Sequence, residues 1–150
     1  MREAKVYVRD KRSPVPKHAH VSKVMSANKA KDTKPEVAFR KALWQQGIKG
    51  YRLNWKKAPG RPDIAFPGKK VAIFINGCFW HRCPTCNYPL PKHNTDFWKA
   101  KFDRNVARDQ NKVIQLEGSG WQVITIWECE LKESTANAIE KVLAKIYPHT

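Results

Sequence analysis

Eleven residues, Asn76-Gly-Cys-Phe-Trp-His-Arg-Cys-Pro-Thr-Cys86, hold three of the chain's four cysteines, two adjacent aromatic rings and a histidine. Each type points to its own chemistry. Thiolates bind soft metals, histidine trades protons near neutral pH, and Phe-Trp offers flat faces on which bases stack. Cys83-Pro-Thr-Cys86 is a C-x-x-C, and Cys129 lies far downstream, directly after an apolar stretch. Four thiolates suit a tetrahedral Zn²⁺ with no open position, hence a structural ion. It would clamp the loop to the end of the last strand. A redox dithiol would use Cys83 and Cys86 but leave Cys78 and Cys129 unexplained. Metal-free buried thiols are the plainer alternative, and His81 and His93 stand as substitute ligands.

Gly60-Arg-Pro-Asp63 places a carboxylate at the start of a strand, beside a stiff proline. Nucleases hold Mg²⁺ this way, and the ion activates water and stabilises the pentavalent phosphorus. A strand-initiating Asp is also a common turn residue. The strand ending at Asn76 would lie beside Asp63 if the two pair as a hairpin. It brings an amide and the backbone carbonyl of Ile75, with no second carboxylate. His81 would lie over Asp63. Glu36 and Asp109 are its candidate partners; without one, a loop histidine is merely solvated. Phe79, Trp80 and Trp98 form either a satellite core under the loop or a wedge between base pairs. Met25, in a basic stretch, is a candidate wedge from the other groove.

The elements that would position these groups are legible in outline. Thr33-Lys-Pro-Glu36 has the capping-box pattern, followed by Val37, Phe39, Ala42 and Leu43 on one helical face and by Gly47 and Gly50 as stops. Strands are predicted at Tyr51–Trp55, Asp63–Phe66 and Lys70–Asn76, the last apolar throughout like a buried central strand. A loop runs to Asn94. Thr95-Asp96 then opens a helix to Glu117, with Phe97, Phe102, Val106, Val113, Ile114 and Leu116 as its apolar stripe and Gly118 and Gly120 closing it. Trp121–Trp127 reads as a strand. Leu131–Tyr147 reads as a helix with Leu131, Ile139, Val142, Leu143 and Ile146 facing in. This order, α-β-β-β-α-β-α, predicts an α/β layered fold: a mixed central sheet flanked by helices.

At 150 residues the chain is one domain, large enough for a real core. Lys and Arg number 29 against 13 Asp and Glu, a net charge of +16. Folding does not need that charge; a polyanion does, and nucleic acid fits best. A membrane surface would call for a basic amphipathic helix or a lipidation signal, and neither is evident. No apolar run reaches the ~20 residues that span a bilayer. The N-terminus is charged without an apolar signal segment, so a reducing cytoplasm is expected. Residues 1–24 are basic and polar, with Pro14 and Pro16. They read as a flexible basic arm or a tail without a role, and residues 25–150 as the folded domain.

Ser22-Lys-Val-Met25, Asp32-Thr-Lys-Pro-Glu36, Pro59-Gly-Arg-Pro-Asp63, Gly77-Cys-Phe-Trp-His81, Thr95-Asp-Phe-Trp98, Asn105-Val-Ala-Arg-Asp109 and Trp127-Glu-Cys129 follow one another in the chain. Together they resemble the very short patch repair (Vsr-type) endonucleases, bacterial T:G mismatch nickases, from about Val21 to Leu131. The resemblance implies a restriction-endonuclease-like (PD-(D/E)XK-type) core with a structural zinc site. It implies Asp63 as the Mg²⁺ ligand, His81 acting on water or the scissile phosphate, and Glu36 and Asp109 orienting the site. Phe79, Trp80 and Trp98 match major-groove wedges, Met25 matches a minor-groove wedge, and Cys78 and Cys129 match zinc ligands. Two positions depart from the family pattern. Its best-known members carry a phosphate-binding histidine where this chain has Asn76. Their middle zinc ligands include a histidine, whereas Cys83 and Cys86 stand here. The expected activity is Mg²⁺-dependent nicking of one strand at a T:G mismatch, leaving a 5′-phosphate. A monomer acting on nucleoid DNA in a bacterial cytoplasm, with mismatch-repair proteins as partners, completes the expectation. The alternatives are a non-cleaving DNA-binding module, suggested by Asn76, and a restriction-type nuclease cutting matched duplex.

Overall fold

Two glycines in the left-handed region end the two helices that bracket the sheet's hairpins, and each does so by the same motif. The computed structural model describes residues 32–148. Helix α1 (Lys34–Gln45) is capped by Thr33, whose hydroxyl accepts from the Glu36 N–H at 3.4 Å. Glu36 reaches back to the N–H of Asp32, at 3.0 Å, one residue earlier than the expected capping box. At the other end Gly47 has φ +77°, its N–H bonds the Trp44 carbonyl, and Ile48 N–H bonds that of Leu43. These two bonds define a Schellman motif, and only glycine adopts that φ without strain.

The strands are β1 (Arg52–Leu53), β2 (Ile64–Phe66), β3 (Val71–Asn76) and β4 (Gln122–Trp127). They form one sheet in the order β1-β2-β3-β4, antiparallel except for the parallel pair β3 and β4. The sheet is therefore mixed, as the element order predicts. Helix α2 (Thr95–Gly118) makes the crossover between the parallel strands, and α3 (Glu128–Glu133) and α4 (Thr135–Ile146) complete the chain. Helix α2 ends in a second Schellman motif, with Trp121 N–H on the Leu116 carbonyl and Gly120 at φ +85°.

Alternation along β3 divides the core. Val71, Ile73 and Ile75 pack with Phe39 and Leu43 of α1 and Ile139, Val142 and Ile146 of α4. Ala72 and Phe74 face Leu116 of α2, with Trp55 and Trp121 at the edge. Asp63 and Asn76 have the parity of the α2 side, so period-two geometry aims both into the space between sheet and α2.

Three expected elements differ. The strand expected at Tyr51–Trp55 is only Arg52–Leu53, because Asn54 turns to φ +46° and breaks the extended run. The last helix begins earlier and is broken at Ser134, which is extended and caps α4 by accepting from Asn137 N–H at 3.2 Å. Finally, Ile114 is 67% exposed. The inward face of α2 instead runs through Trp98, Phe102, Asn105, Asp109, Lys112 and Leu116: apolar at both ends, polar in the middle.

Candidate active site and thiol cluster

The polar middle of α2 roofs a cavity of about 660 Å³ over the ends of β2 and β3. Asp63, Asn76, His81, Asp109 and Glu36 all line it. Residues from four separate stretches of the chain thus meet in one place.

Asp63 is fixed by the backbone. Its Oδ2 accepts from the Ile75 N–H at 2.7 Å, while its carbonyl accepts from Asn54 N–H at 3.0 Å. Burial raises its pKa to about 6, with the charge of Glu36 adding to the effect. The Ile75 N–H, Lys112 and His81 oppose the rise. In a strand the N–H and C=O of one residue point the same way. The Ile75 carbonyl therefore faces the same edge as Asp63, beyond the end of β2. Glu36 is 5% exposed, and burial raises its pKa too, against the hydrogen bonds from Asp32 and Thr33. Asn76, 8% exposed, ends β3 with its amide on the cavity wall.

His81 meets Asp109 through Nδ1 and Oδ2 at 2.6 Å. Of the two expected carboxylate partners, Asp109 is the one in contact, and Glu36 stands instead opposite Asp63. The loop carrying His81 is wound tightly: His81 N–H bonds Gly77 O at 3.1 Å and Cys83 N–H bonds Cys78 O at 2.9 Å. Asn105 ties it to α2 by donating to the Trp80 carbonyl at 3.0 Å.

Cys78, Cys83, Cys86 and Cys129 converge, with all four Sγ atoms within 4.8 Å of one another. The parallel register explains how. Asn76 pairs with Trp127, so the residues two positions further along each strand, Cys78 and Cys129, emerge side by side. Cys129 N–H donates to Cys78 Sγ at 3.3 Å, and the Cys83 and Cys129 sulfurs are 3.8 Å apart. The cluster can hold a metal ion. His93 is exposed and stands outside it.

The aromatic side chains form one assembly beside the cavity mouth. Phe79 lies edge-on to Trp80, Trp98 and Phe102, with centroids 5.1, 6.3 and 5.2 Å away. Trp98 stacks on Phe102 at 5.6 Å and is only 7% exposed, whereas Trp80 is half-buried and lines the cavity. Lys101 holds its ammonium 5.4 Å from the Trp80 ring. Met25 and the expected arm lie outside the described residues. The sequence reading assigned no role to Asn105, Lys101, Arg108 or Lys112. Their signal was present: the four repeat at helical spacing and all line the cavity.

Among the described residues no helix is long and apolar enough to cross a membrane. A family model described as DNA mismatch endonuclease Vsr matches residues 13–87. The chain is 41% identical over 123 residues to the type II nicking enzyme V.XorIIP of Xanthomonas oryzae pv. oryzae, covering 82% of this chain and 88% of that one. It is 46% identical over 109 residues to the type II nicking enzyme V.NmeAIP of Neisseria meningitidis, covering 73% and 77%. It is 36% identical over 111 residues to the DNA mismatch endonuclease Vsr of Escherichia coli, covering 74% and 70%. With that family match and these identities over most of its length, this chain belongs to the Vsr family of DNA endonucleases.

Proposed function

We propose that this chain nicks one strand of duplex DNA at T:G mismatches, the product of 5-methylcytosine deamination, using Mg²⁺ and leaving a 5′-phosphate. It would thereby initiate very short patch repair, as a monomer on nucleoid DNA in a bacterial cytoplasm. The observation that carries this reading is the meeting of Asp63, the Ile75 strand end and the His81–Asp109 pair in one cavity beside an aromatic cluster. We read the core as PD-(D/E)XK-type, with Asn76 where a second strand-end carboxylate would stand.

The oxygen donors suit a hard cation, and burial, which raises the pKa of Asp63, is a cost that a bound cation would offset. Asp63 and the Ile75 carbonyl would hold Mg²⁺, which when bound supplies Lewis acidity and a more acidic water. Asp109 fixes the His81 ring through Nδ1, leaving Nε2 to take a proton from the attacking water. The P–O3′ bond breaks as the new P–O bond forms, and the departing 3′-oxygen takes a proton from solvent to become a 3′-hydroxyl. Glu36, held by the Asp32 N–H, keeps the site acidic beside Asp63. Trp80, with Phe79 and Trp98 behind it, would press on the mismatch. A wobble pair unstacks more easily than a Watson–Crick pair, so a wedge discriminates by deformation energy. Zinc fits the thiol cluster: Zn–S bonds of about 2.3 Å in a tetrahedron put sulfurs about 3.8 Å apart, the Cys83–Cys129 separation.

A nicking assay on T:G and matched duplexes with Mg²⁺ tests the proposal. Selective T:G nicking is expected, abolished by Asp63→Ala with binding retained. Binding without nicking in Mg²⁺ or Mn²⁺ would leave a DNA-binding module, and equal cutting of matched duplex a restriction-type nuclease.

A further inference from the structure

We infer that Lys112 is a catalytic residue, its ammonium holding a non-bridging oxygen of the scissile phosphate as negative charge builds there. The inference rests on the nuclease reading above and adds a residue to it.

Three observations converge on Lys112. It projects from the polar middle of α2 into the cavity that Asp63, Asn76 and His81 line. Its stem is seated: a Cβ on Gly60 would lie 2.7 Å from Lys112 Cγ and 2.8 Å from its Cβ, so the stem fills a notch that only glycine leaves open. Gly60 itself has φ +74°, and it sits three residues before Asp63 in the same loop. The ammonium then lies 5.7 Å from the centroid of the Phe74 ring, on the strand that ends at Asn76. A lysine stem normally roams; this one is packed on two sides, which lowers the entropy lost when its head group meets a ligand.

The head group is also left uncommitted. Among the described residues Lys112 forms no ion pair within 4 Å, unlike Lys99, Lys132 and Lys141. The other cavity cations are placed differently. Lys101 lies over the aromatic rings, Arg61 donates to the Asn54 carbonyl, and Arg108 is exposed. Of these lysines and arginines, Lys112 is the one whose charge is felt at Asp63. A cation packed in place, unneutralised and close to the metal-binding carboxylate is arranged for an anion that arrives with the substrate. Asn76 on the opposite wall offers an amide, which donates hydrogen bonds but carries no charge. Charge stabilisation at the phosphate therefore falls to Lys112.

The test is single-turnover nicking of a T:G duplex in Mg²⁺, with duplex affinity measured separately. Lys112→Met keeps the stem in the Gly60 notch and removes the charge. A rate loss of about 100-fold or more is expected, with affinity changed by less than about 3-fold. Lys112→Arg should recover the rate to within about 10-fold of wild type, a rescue that a packing role would not give. If Lys112→Met melts below the assay temperature, Lys112→Gln takes its place. Nicking by the Met variant at the wild-type rate overturns the inference, and so does a rate loss matched by an equal loss of affinity. If wild type itself fails to nick, the nuclease reading falls and the role of Lys112 falls with it.

Discussion

Asp63 is caught between two requirements. Under the proposed function it would be charged to hold a cation, yet burial and Glu36 favour its neutral form and raise its pKa to about 6. The sign of the linkage follows. A folded-state pKa above the unfolded value near 3.8 means the native state binds the extra proton. That contribution to stability is present below about pH 4 and lost as pH rises through about 6. Asp63→Asn keeps an oxygen for the Ile75 N–H but never ionises. Thermal melts without divalent cation should therefore show the variant more stable at pH 8 by about 1–3 kcal/mol, with the gap closing by pH 4. Equal melting curves across that range would refute the burial argument. Activity should move the opposite way. With sub-saturating Mg²⁺, wild-type nicking should decline below about pH 6, and added Mg²⁺ should push that midpoint lower, because cation and proton compete for one carboxylate.

At the scale of elements, the parallel register of β3 and β4 sets the geometry of the loop between them. It brings Cys78 and Cys129 out together, and Cys83 and Cys86 fold back to meet them. Holding that loop fixes His81 over the cavity and Trp80 at its mouth. Cys129→Ser should lose most of an equimolar zinc content, lower the melting temperature, and release His81 from its register. Metal analysis beside melting curves checks this, and unchanged zinc would sink the four-cysteine assignment. Much of this was legible in the residues. The glycines at 47 and 120 announced the helix ends because few other residues adopt the φ a Schellman motif needs. The apolar run to Asn76 announced the central strand because both its faces are covered. The face of α2 was misjudged for a physical reason: a hydrophobic stripe marks contact with a core, but this helix spans a core at each end and a wet cavity between. Asn105, Asp109 and Lys112 occupy the inward positions there, so an apolar pattern that takes in Ile114 points to solvent. Strand β1 is shorter than expected because Tyr51 and Trp55 look like strand residues, while the left-handed Asn54 between them decides.

For the molecule as a whole, 29 basic against 13 acidic residues leave a charge of +16 that internal pairing cannot neutralise. Charge of that size binds any duplex, so affinity and discrimination must come from different residues. Arg108 is exposed and lines the cavity, where under the proposed function it would meet a backbone phosphate. Trp80, half-buried in the aromatic cluster, is the part of that cluster that lines the cavity and would act as the wedge. Each phosphate contact contributes roughly −0.9 to the slope of log K against log salt, whatever the sequence. Arg108→Ala should therefore weaken T:G and matched duplex alike, flatten both salt slopes by about one contact, and leave their ratio intact. Trp80→Ala should leave the slopes parallel to wild type and shrink the ratio, by about 1–3 kcal/mol of lost stacking. Binding titrations of both duplexes at several salt concentrations separate the two effects. If Arg108→Ala erodes the T:G preference, or Trp80→Ala flattens the salt slope, then charge and wedge are not independent and discrimination does not rest on deformation.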